Sequence, residues 1–274
     1  MTALLHLSDT HFGTERPAVA DALAALVRAD PPALAVLSGD VTQRATRGQF
    51  AAARAYIDRL AVPRWVVVPG NHDIPLFGMG ARLFNPYGRY RAALGDDLAP
   101  ELRTGDWCVL STNTTRWYRH KHGEISAAQI EATARALEEA ARAQPRQIRV
   151  VVVHQPVAVQ HAEDEIDLLR GGREAVRAWA AAGADLVLGG HIHLPFVMSL
   201  QPRGGPALPR PVWAVQAGTA TSSRVRQGVP NSVNVLRAEC GEQARRCHVE
   251  RWVFDHTVGR FERARVDTLE LAPP

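Results

Sequence analysis

The hydrophobic positions of this chain fall into short apolar runs, and five of them share one kind of ending. Leu4 to Ser8 finishes on Asp9-Thr10-His11, Leu34 to Ser38 on Gly39-Asp40, and Trp65 to Val68 on Pro69-Gly70-Asn71-His72-Asp73. Ile148 to Val153 finishes on His154, and Asp185 to Leu188 on Gly189-Gly190-His191-Ile192-His193. Short apolar runs rich in β-branched residues and bounded by turn residues predict buried strands. Between them the period changes. Pro17 to Ala29 places Val19, Leu23, Leu26 and Val27 on one helical face,. Thr46 with Gln49 reads as a capping box opening a helix to about Leu60, and Ser126 with Gln129 as a second, opening a helix over Ala127–Ala143,. A further helix is predicted over Arg173–Ala182, and a short one near Arg89–Leu94 within a lid-like excursion over residues 74–100. Strand–helix–strand alternation with short connections argues a mostly parallel sheet with crossover helices.

Past His193 the texture changes. Phe196–Leu200, Val212–Gln216, Val233–Arg237, His248–Phe254 and Phe261–Val266 are short β-like runs separated by turns. They predict an antiparallel meander, with Gln201–Pro211 as a hairpin tip.

Composition adds little to this picture. A hydrophobic share of 46% over 274 residues supplies a sizeable core for a large α/β domain,. The net charge of +4 is spread along a chain whose only lysine is Lys121, a pattern that does not predict nucleic-acid binding,. Nothing ahead of Asp9 reads as a secretory leader, and no apolar run approaches the roughly 18 residues of a membrane span. A soluble, cytoplasmic protein with no membrane partner is therefore expected. Cys108, Cys240 and Cys247 form no CxxC pair, and free thiols are expected in preference to a Cys240–Cys247 hairpin disulfide,.

Strand endings are where the chemistry lies. In an open α/β sheet, ligands bind off the carboxyl ends of the strands. That rule gathers Asp9, His11, Asp40, Asn71, His72, His154, His191 and His193 on one rim. Imidazole, carboxylate and amide oxygen without a thiolate suit Mn²⁺, Fe or Zn²⁺ in a reactive centre rather than a structural zinc. So many donors exceed what one ion takes and fit two ions sharing a carboxylate. Two such ions, roughly 3.5–4 Å apart, clamp the attacking and departing oxygens of an in-line displacement and turn bound water into hydroxide near neutral pH. Any one of these residues alone is more commonly a helix cap or a loop hydrogen-bonder; five strand ends together point to metal.

In order over residues 9–193, Asp9-x-His11, Gly39-Asp40, Gly70-Asn71-His72-Asp73, His154 and Gly190-His191-x-His193 resemble the five-block signature of the calcineurin-like metallophosphoesterases. The resemblance implies a four-layer α/β/β/α sandwich of two mixed sheets flanked by helices. It implies a single domain over 1–274, in which 1–193 carries the ligands and 194–274 completes the second sheet, mainly with strands. It implies a first ion held by Asp9, His11, Asp40 and His193, with Asp40 bridging to a second that Asn71, His154 and His191 complete. His72 would stay off the metal and face the leaving-group oxygen as proton donor or charge stabiliser, making it and Asp40 the catalytic pair.

Within the superfamily the chain resembles bacterial class III cyclic-nucleotide phosphodiesterases. Gly123-Glu124-Ile125-Ser126-x-x-Gln129 and Ala217-Gly218-Thr219-Ala220 are similar to their later blocks. Gly39-Asp40-Val41-Thr42-Gln43-Arg44 lacks the Asp-Arg-Gly ending of Ser/Thr protein phosphatases, which argues against a phosphoprotein substrate. The expected activity is phosphodiester hydrolysis, of cyclic nucleotides first, by metal-bridged hydroxide. Alternatives within the superfamily are a nuclease, to which Leu7–Gly13 also bears a resemblance, and a nucleotide or lipid-linked pyrophosphatase; a non-catalytic metal-bound scaffold is the other. Modest charge weighs against the nuclease, and the lack of an amphipathic membrane helix against a lipid-linked substrate.

Asn71, His72 and Arg224 are the candidate substrate contacts, with Arg226 beside them. Asn113–Arg116, His120-Lys121-His122, His161 and the aromatics Phe77, Phe84, Tyr87 and Trp117 read as structural. A small phosphodiester or nucleotide is the expected partner, and homo-oligomer formation stays open.

Overall fold

The computed structural model describes residues 2–202, 206–241 and 245–274, with the Met79 side chain left out. Its strands are β1 (Ala3–Leu7), β2 (Leu34–Leu37), β3 (Trp65–Val67), β4 (Leu102–Arg103), β5 (Trp107–Ser111), β6 (Ile148–Val152), β7 (Leu186–Gly189), β8 (Phe196–Ser199), β9 (Trp213–Gln216), β10 (Ser232–Cys240), β11 (Arg245–Asp255) and β12 (Arg260–Glu270). They form two six-stranded sheets, ordered β12-β11-β10-β1-β2-β3 and β4-β5-β6-β7-β9-β8. In the first, β1, β2 and β3 run parallel and β10 joins β1 antiparallel. In the second, β5, β6, β7 and β9 run parallel. The helices are α1 (Pro17–Ala29), α2 (Arg47–Leu60), α3 (Met79–Phe84), α4 (Gly88–Leu94), α5 (Ala127–Ala143) and α6 (Gly172–Ala181). Among the described residues no helix is long and apolar enough to cross a membrane.

The parallel strand runs are largely apolar, with His6 in β1 and Arg149 in β6 as exceptions, because both their faces are covered,. Leu4, Leu34, Val36, Val66, Val68, Val109, Ile148, Val150, Val152, Leu186 and Leu188 fill the space between the sheets. Their neighbours Leu5, Leu7, Ala35 and Leu37 pack outward against Val19, Leu23 and Val27 of α1 and Phe50, Ala53 and Ile57 of α2. Likewise Leu110, Val151 and Val187 face Leu137 of α5 and Val176 and Trp179 of α6. Helix, sheet, sheet, helix is the four-layer sandwich.

Local signals set most boundaries. Pro17 occupies the first turn of α1, where its missing N–H costs nothing,. Ser126 and Gln129 form a full capping box at α5. At α2 only half of the predicted box exists: Thr46 accepts from Gln49 N, but the Gln49 side chain accepts from Arg44 N instead of turning back to Thr46. The excursion holds α3 as well as α4, and a 3-10 turn over Ala162–Asp167 precedes α6.

The segment after His193 departs from expectation. β8 and β9 finish the second sheet, β9 lying parallel to β7, whereas β10, β11 and β12 form a meander that extends the first sheet. The segment is therefore shared between the sheets instead of completing one of them. Register decides this: Ala3, Leu4, Leu5 and His6 of β1 pair with Arg237, Leu236, Val235 and Asn234. Of the Gln201–Pro211 tip, residues 203–205 lie outside the described chain; around them β8 and β9 pair antiparallel. Cys240 lies opposite Arg245 and Cys247 opposite Ala238, so the two thiols are not cross-strand partners, and all three cysteines are free.

Towards the carboxyl ends of the strands the space between the sheets turns polar. His6, on the same face of β1 as Leu4, is fully buried with Ser38 and Asn234. Asn234 Nδ2 donates to His6 Nδ1 (3.4 Å), His6 Nε2 lies 3.0 Å from Ser38 Oγ, and Ser38 Oγ donates to Leu7 O (3.3 Å). This chain of donors fits the neutral ring with its proton on Nε2; a second proton on Nδ1 would face the Asn234 amide N–H. Burial, against a smaller opposing pull from Asp9, drives the His6 pKa down to about 3. The folded value lies below the unfolded one, so stability is full above pH 6.5 and falls as pH drops towards 3. At pH 5 the loss from this residue is expected to be about 2 kcal/mol. Urea unfolding of the wild type and His6→Gln at pH 7 and pH 5 checks it: the variant should lose that increment, and an identical pH dependence in both chains would refute the assignment.

Candidate metal centre

Five loops leave the carboxyl ends of β1, β2, β3, β6 and β7 and converge on one rim, which is what parallel strand order imposes. The turns are tight. Asp9 (φ 54°), His11 (φ 41°), Asp40 (φ 49°), His191 (φ 75°) and His193 (φ 58°) all adopt left-handed backbone. Asp and His tolerate that region far better than β-branched residues do, and such strain persists only where the surroundings enforce it. Gly70 must be glycine for a related reason, since a Cβ there would overlap the Asp40 backbone nitrogen and Oδ1.

The side chains meet in two groups joined by Asp40. In one, His193 Nε2 lies 3.3 Å from Asp9 Oδ1 and 3.2 Å from His11 Nε2, while His11 Nε2 is 3.7 Å from both Asp9 Oδ1 and Asp40 Oδ2. In the other, His154 Nε2 lies 3.3 Å from Asp40 Oδ1 and 3.3 Å from Asn71 Oδ1. His191 joins this second group, with a ring nitrogen within 4.8 Å of the Asp40 and His154 donors. Asp40 thus turns a different oxygen to each group. All seven residues predicted as ligands are brought together, and all but His193 are buried.

Backbone carbonyls fix the ring tautomers. His154 Nδ1 donates to Ser38 O (2.8 Å), and His193 Nδ1 donates to Arg224 O, with Thr219 Oγ1 2.9 Å away. Each ring therefore presents Nε2 to the cluster. Asp73, the last residue of its motif, does not join it. Its carboxylate accepts from Val41 N (3.0 Å), Thr42 N (2.8 Å), Thr42 Oγ1 (2.8 Å) and Gly70 N (2.9 Å), sewing the Asp40 loop to the Asn71 loop.

The donor set fits divalent ions. With Nδ1 protonated, neutral His154 would aim a lone pair at two oxygens, and His193 would aim one at Asp9; both contacts require positive charge between them. In its absence protons take that place. Burial works against a charge on His154, but the charge of Asp40 and a hydrogen bond to it push the pKa up to about 9. Burial equally opposes charge on His193, which Asp9 raises. Against burial, His193 holds Asp9 and His154 holds Asp40 well below the usual carboxylate range. Burial brings His11 down to about 4 and lowers His191, so both offer neutral rings. Asp9 Oδ1, His11 Nδ1 and both nitrogens of His191 are buried without hydrogen-bond partners. Asp9, His11, Asp40 and His193 could hold one ion, and Asp40, Asn71, His154 and His191 a second.

His72 stands at the edge of the first group. Its backbone N–H donates to Asp40 Oδ1 (2.8 Å), its Nδ1 donates to Gln43 O (3.0 Å), and its ring meets His11 edge-on at 4.8 Å. Nε2 is left bare. A ring nitrogen of His72 also lies within 4.8 Å of donors on His11 and Asp40, close enough to share an ion with them.

Beside the cluster a cleft of about 410 Å³ is lined by Lys121, Asp164, Asp167, His191, His193, Arg224 and Arg226. Arg224 reaches the site twice, through its carbonyl on His193 and through its exposed side chain on the cleft wall. Arg226 is held by Asp164 (2.7 Å) and by Glu163, and Lys121 by Asp167 (2.9 Å). Of the other candidates, Asn113, Arg116 and Tyr87 are structural. Asn113 Oδ1 accepts from Thr115, Arg116 donates to Gln129 (2.6 Å), and Tyr87 donates to Thr115 O (3.0 Å). His161 is exposed at the head of the 3-10 turn. Phe77, Phe84 and Trp117, expected to pack in the core, are instead exposed. Residue patterns missed Asp167 because it ends an acidic stretch, Glu163 to Asp167, that reads as a solvated turn.

The profile of the Calcineurin-like phosphoesterase family matches residues 2–195. No curated protein sequence matches the chain significantly. Among solved structures it is similar to the purple acid phosphatase PPD1 of yellow lupin (Lupinus luteus), at 12% identity and a TM-score of 0.71 over 98% of this chain and 53% of that one. The chain thus spans about half the length of that phosphatase. It is also similar to Vacuolar Protein Sorting 29 from Cryptosporidium parvum, at 11% identity and a TM-score of 0.51 over 98% of each chain. At such identities these likenesses concern the fold. The family profile, in contrast, spans all five strand-end loops from Asp9 to His193, and the chain belongs to the calcineurin-like phosphoesterase family.

Proposed function

We propose that this metal-dependent phosphoester hydrolase acts on phosphodiesters, cyclic nucleotides foremost, with two first-row divalent ions. The observation that carries the reading is the division of Asp40, whose Oδ2 faces His11 and whose Oδ1 faces His154. A carboxylate so placed would serve two ions at once. When bound, the pair supplies Lewis acidity and a water-derived nucleophile near neutral pH. The chain's own groups do the rest. Ser38 O and Arg224 O hold His154 and His193 with Nε2 turned inward, and Gln43 O holds the His72 ring through Nδ1, leaving Nε2 to the substrate. In this reading His72 holds or delivers a proton at the departing oxygen.

Charge in the cleft favours a diester over a monoester. Of its three lining cations, Lys121 and Arg226 are neutralised by Asp167, Asp164 and Glu163, leaving Arg224 the one cation of the cleft without an ion pair among the described residues. A singly charged diester matches that supply, and Arg224, with Asn71 and His72, is its contact. With Mn²⁺ present, bis(p-nitrophenyl) phosphate should turn over with a higher kcat/KM than p-nitrophenyl phosphate. Cyclic AMP or a 2′,3′-cyclic nucleotide should be hydrolysed in preference to single-stranded DNA. A preference for the monoester would refute the diester reading, and a preference for DNA the cyclic-nucleotide one.

A further inference from the structure

Asp167 is the residue of the rim that neither the five strand-end motifs nor the proposed reaction uses. It closes the 3-10 turn Ala162–Asp167 in the loop between β6 and α6. The acids of that turn go different ways. Glu163 and Asp164 pair with Arg226, while Asp167 turns inward and is buried to 7% exposure. Lys121 Nζ sits against both its oxygens, 2.9 Å from Oδ1 and 3.0 Å from Oδ2. Its Oδ1 is buried, meets Lys121 as an ion pair while the directed hydrogen bond goes to Oδ2, and lies 3.6 Å from His191 Nε2.

His191, like His11, is a ligand candidate whose ring no carbonyl holds, and of the two it has a carboxylate outside the donor groups beside it. His154 and His193 have their rings fixed through Nδ1 by Ser38 O and Arg224 O, whereas neither ring nitrogen of His191 has a hydrogen-bond partner. An imidazole that gives one nitrogen to an ion needs an acceptor for the other N–H, and a carboxylate in that place orients the ring and raises its basicity. Asp167 is the acceptor at hand. The loop that carries it is fastened at its far end. Leu169 N donates to Pro156 O (2.8 Å) and Arg170 N to Gly123 O (3.2 Å), tying the loop to its own start and to the segment that carries Lys121.

We propose that Asp167 is the positioning residue of the second ion site: it accepts from Nε2–H of His191, so that Nδ1 faces the ion. Lys121, straddling the carboxylate, keeps Asp167 in place as an acceptor instead of leaving it free to become a ligand itself. This rests on the two-ion reading of the site. Its tests separate the two.

The first measurement uses the metal-free full-length chain. Imidazole ¹⁵N–¹³C spectra should show His191 as the Nε2–H tautomer, and Asp167→Ala should abolish that preference. The second titrates chelator-stripped protein with Mn²⁺ by calorimetry. Asp167→Ala should weaken the second ion by about 10–100-fold while the first binds as in the wild type. Lys121→Met, which spares the carboxylate, should change second-site affinity less than Asp167→Ala does. An Nδ1–H tautomer in the wild type, unchanged Mn²⁺ affinity in Asp167→Ala, an equal loss at both sites, or the same loss in Lys121→Met would each overturn the proposal. A wild-type chain that binds one ion yet shows the Nε2–H tautomer would refute the two-ion reading while upholding the Asp167–His191 pair.

Discussion

Asp40→Ala is expected to leave the chain folded but without tightly held metal, and to abolish phosphoester hydrolysis. Among the described residues no other carboxylate meets ring nitrogens of both donor groups: Oδ2 lies 3.7 Å from His11 Nε2, and Oδ1 lies 3.3 Å from His154 Nε2 while accepting from His72 N. Removing this carboxylate takes an anionic ligand from each ion, so the fall in turnover should exceed the roughly 10²–10³-fold cost of losing one electrostatic contact. The fold should survive. Alanine already occupies left-handed backbone at Ala45 (φ 50°) and Ala61 (φ 53°), and the strain at position 40 (φ 49°) costs on the order of 1–3 kcal/mol with or without the carboxylate,. Asp9→Ala is the informative partner, because among the donor side chains Asp9 Oδ1 meets His11 and His193, while its Oδ2 accepts from the His191 backbone N–H (2.9 Å). Elemental analysis after dialysis from Mn²⁺ should find two ions per wild-type chain, about one in Asp9→Ala and none in Asp40→Ala. Equal occupancy in the two variants would remove Asp40 from its bridging place.

The ligand rim was legible in the sequence because each strand and its donor are contiguous. Leu34 to Ser38 and Gly39-Asp40 announce a strand and what it carries within seven residues, and neighbouring parallel strands bring such ends together without further information. What holds the ligands was not legible, since much of it is backbone. Ser38 O, Gln43 O and Arg224 O choose the ring tautomers, and a carbonyl leaves no trace in residue type. Asp167 does have a side chain, but pairing with His191 depends on the path of a loop whose acids look like solvated surface. Sheet membership failed for a related reason. The alternation in β10 to β12 reveals strands, but their pairing on β1 joins residues more than 200 positions apart, as with Leu4 and Leu236. The half-formed box at α2 shows local competition: a full box would turn the Gln49 side chain back to Thr46 N, and the fold offers it Arg44 N instead.

His72→Ala is expected to slow turnover by about 10²–10⁴-fold, the range of a positioned acid or base, while both ions stay bound. Its ring is held through Nδ1 by Gln43 O at 3.0 Å and lies edge-on to His11, which keeps Nε2 free of that contact beside the first donor group. The size of the loss should depend on the leaving oxygen. The ribose alkoxide of a cyclic nucleotide needs a proton as the P–O bond breaks, whereas p-nitrophenolate leaves as a stable anion and hardly does. Kinetics of the variant on cyclic AMP and on bis(p-nitrophenyl) phosphate should show the larger fall with the nucleotide. Equal falls on both would mean that His72 stabilises charge on the phosphoryl group instead of giving up a proton. The same donor distances that place His72 near His11 and Asp40 would also let it serve as a ligand. Metal content of the variant decides between these roles: two ions retained with a substrate-dependent fall identify a proton donor, and one ion lost identifies a ligand.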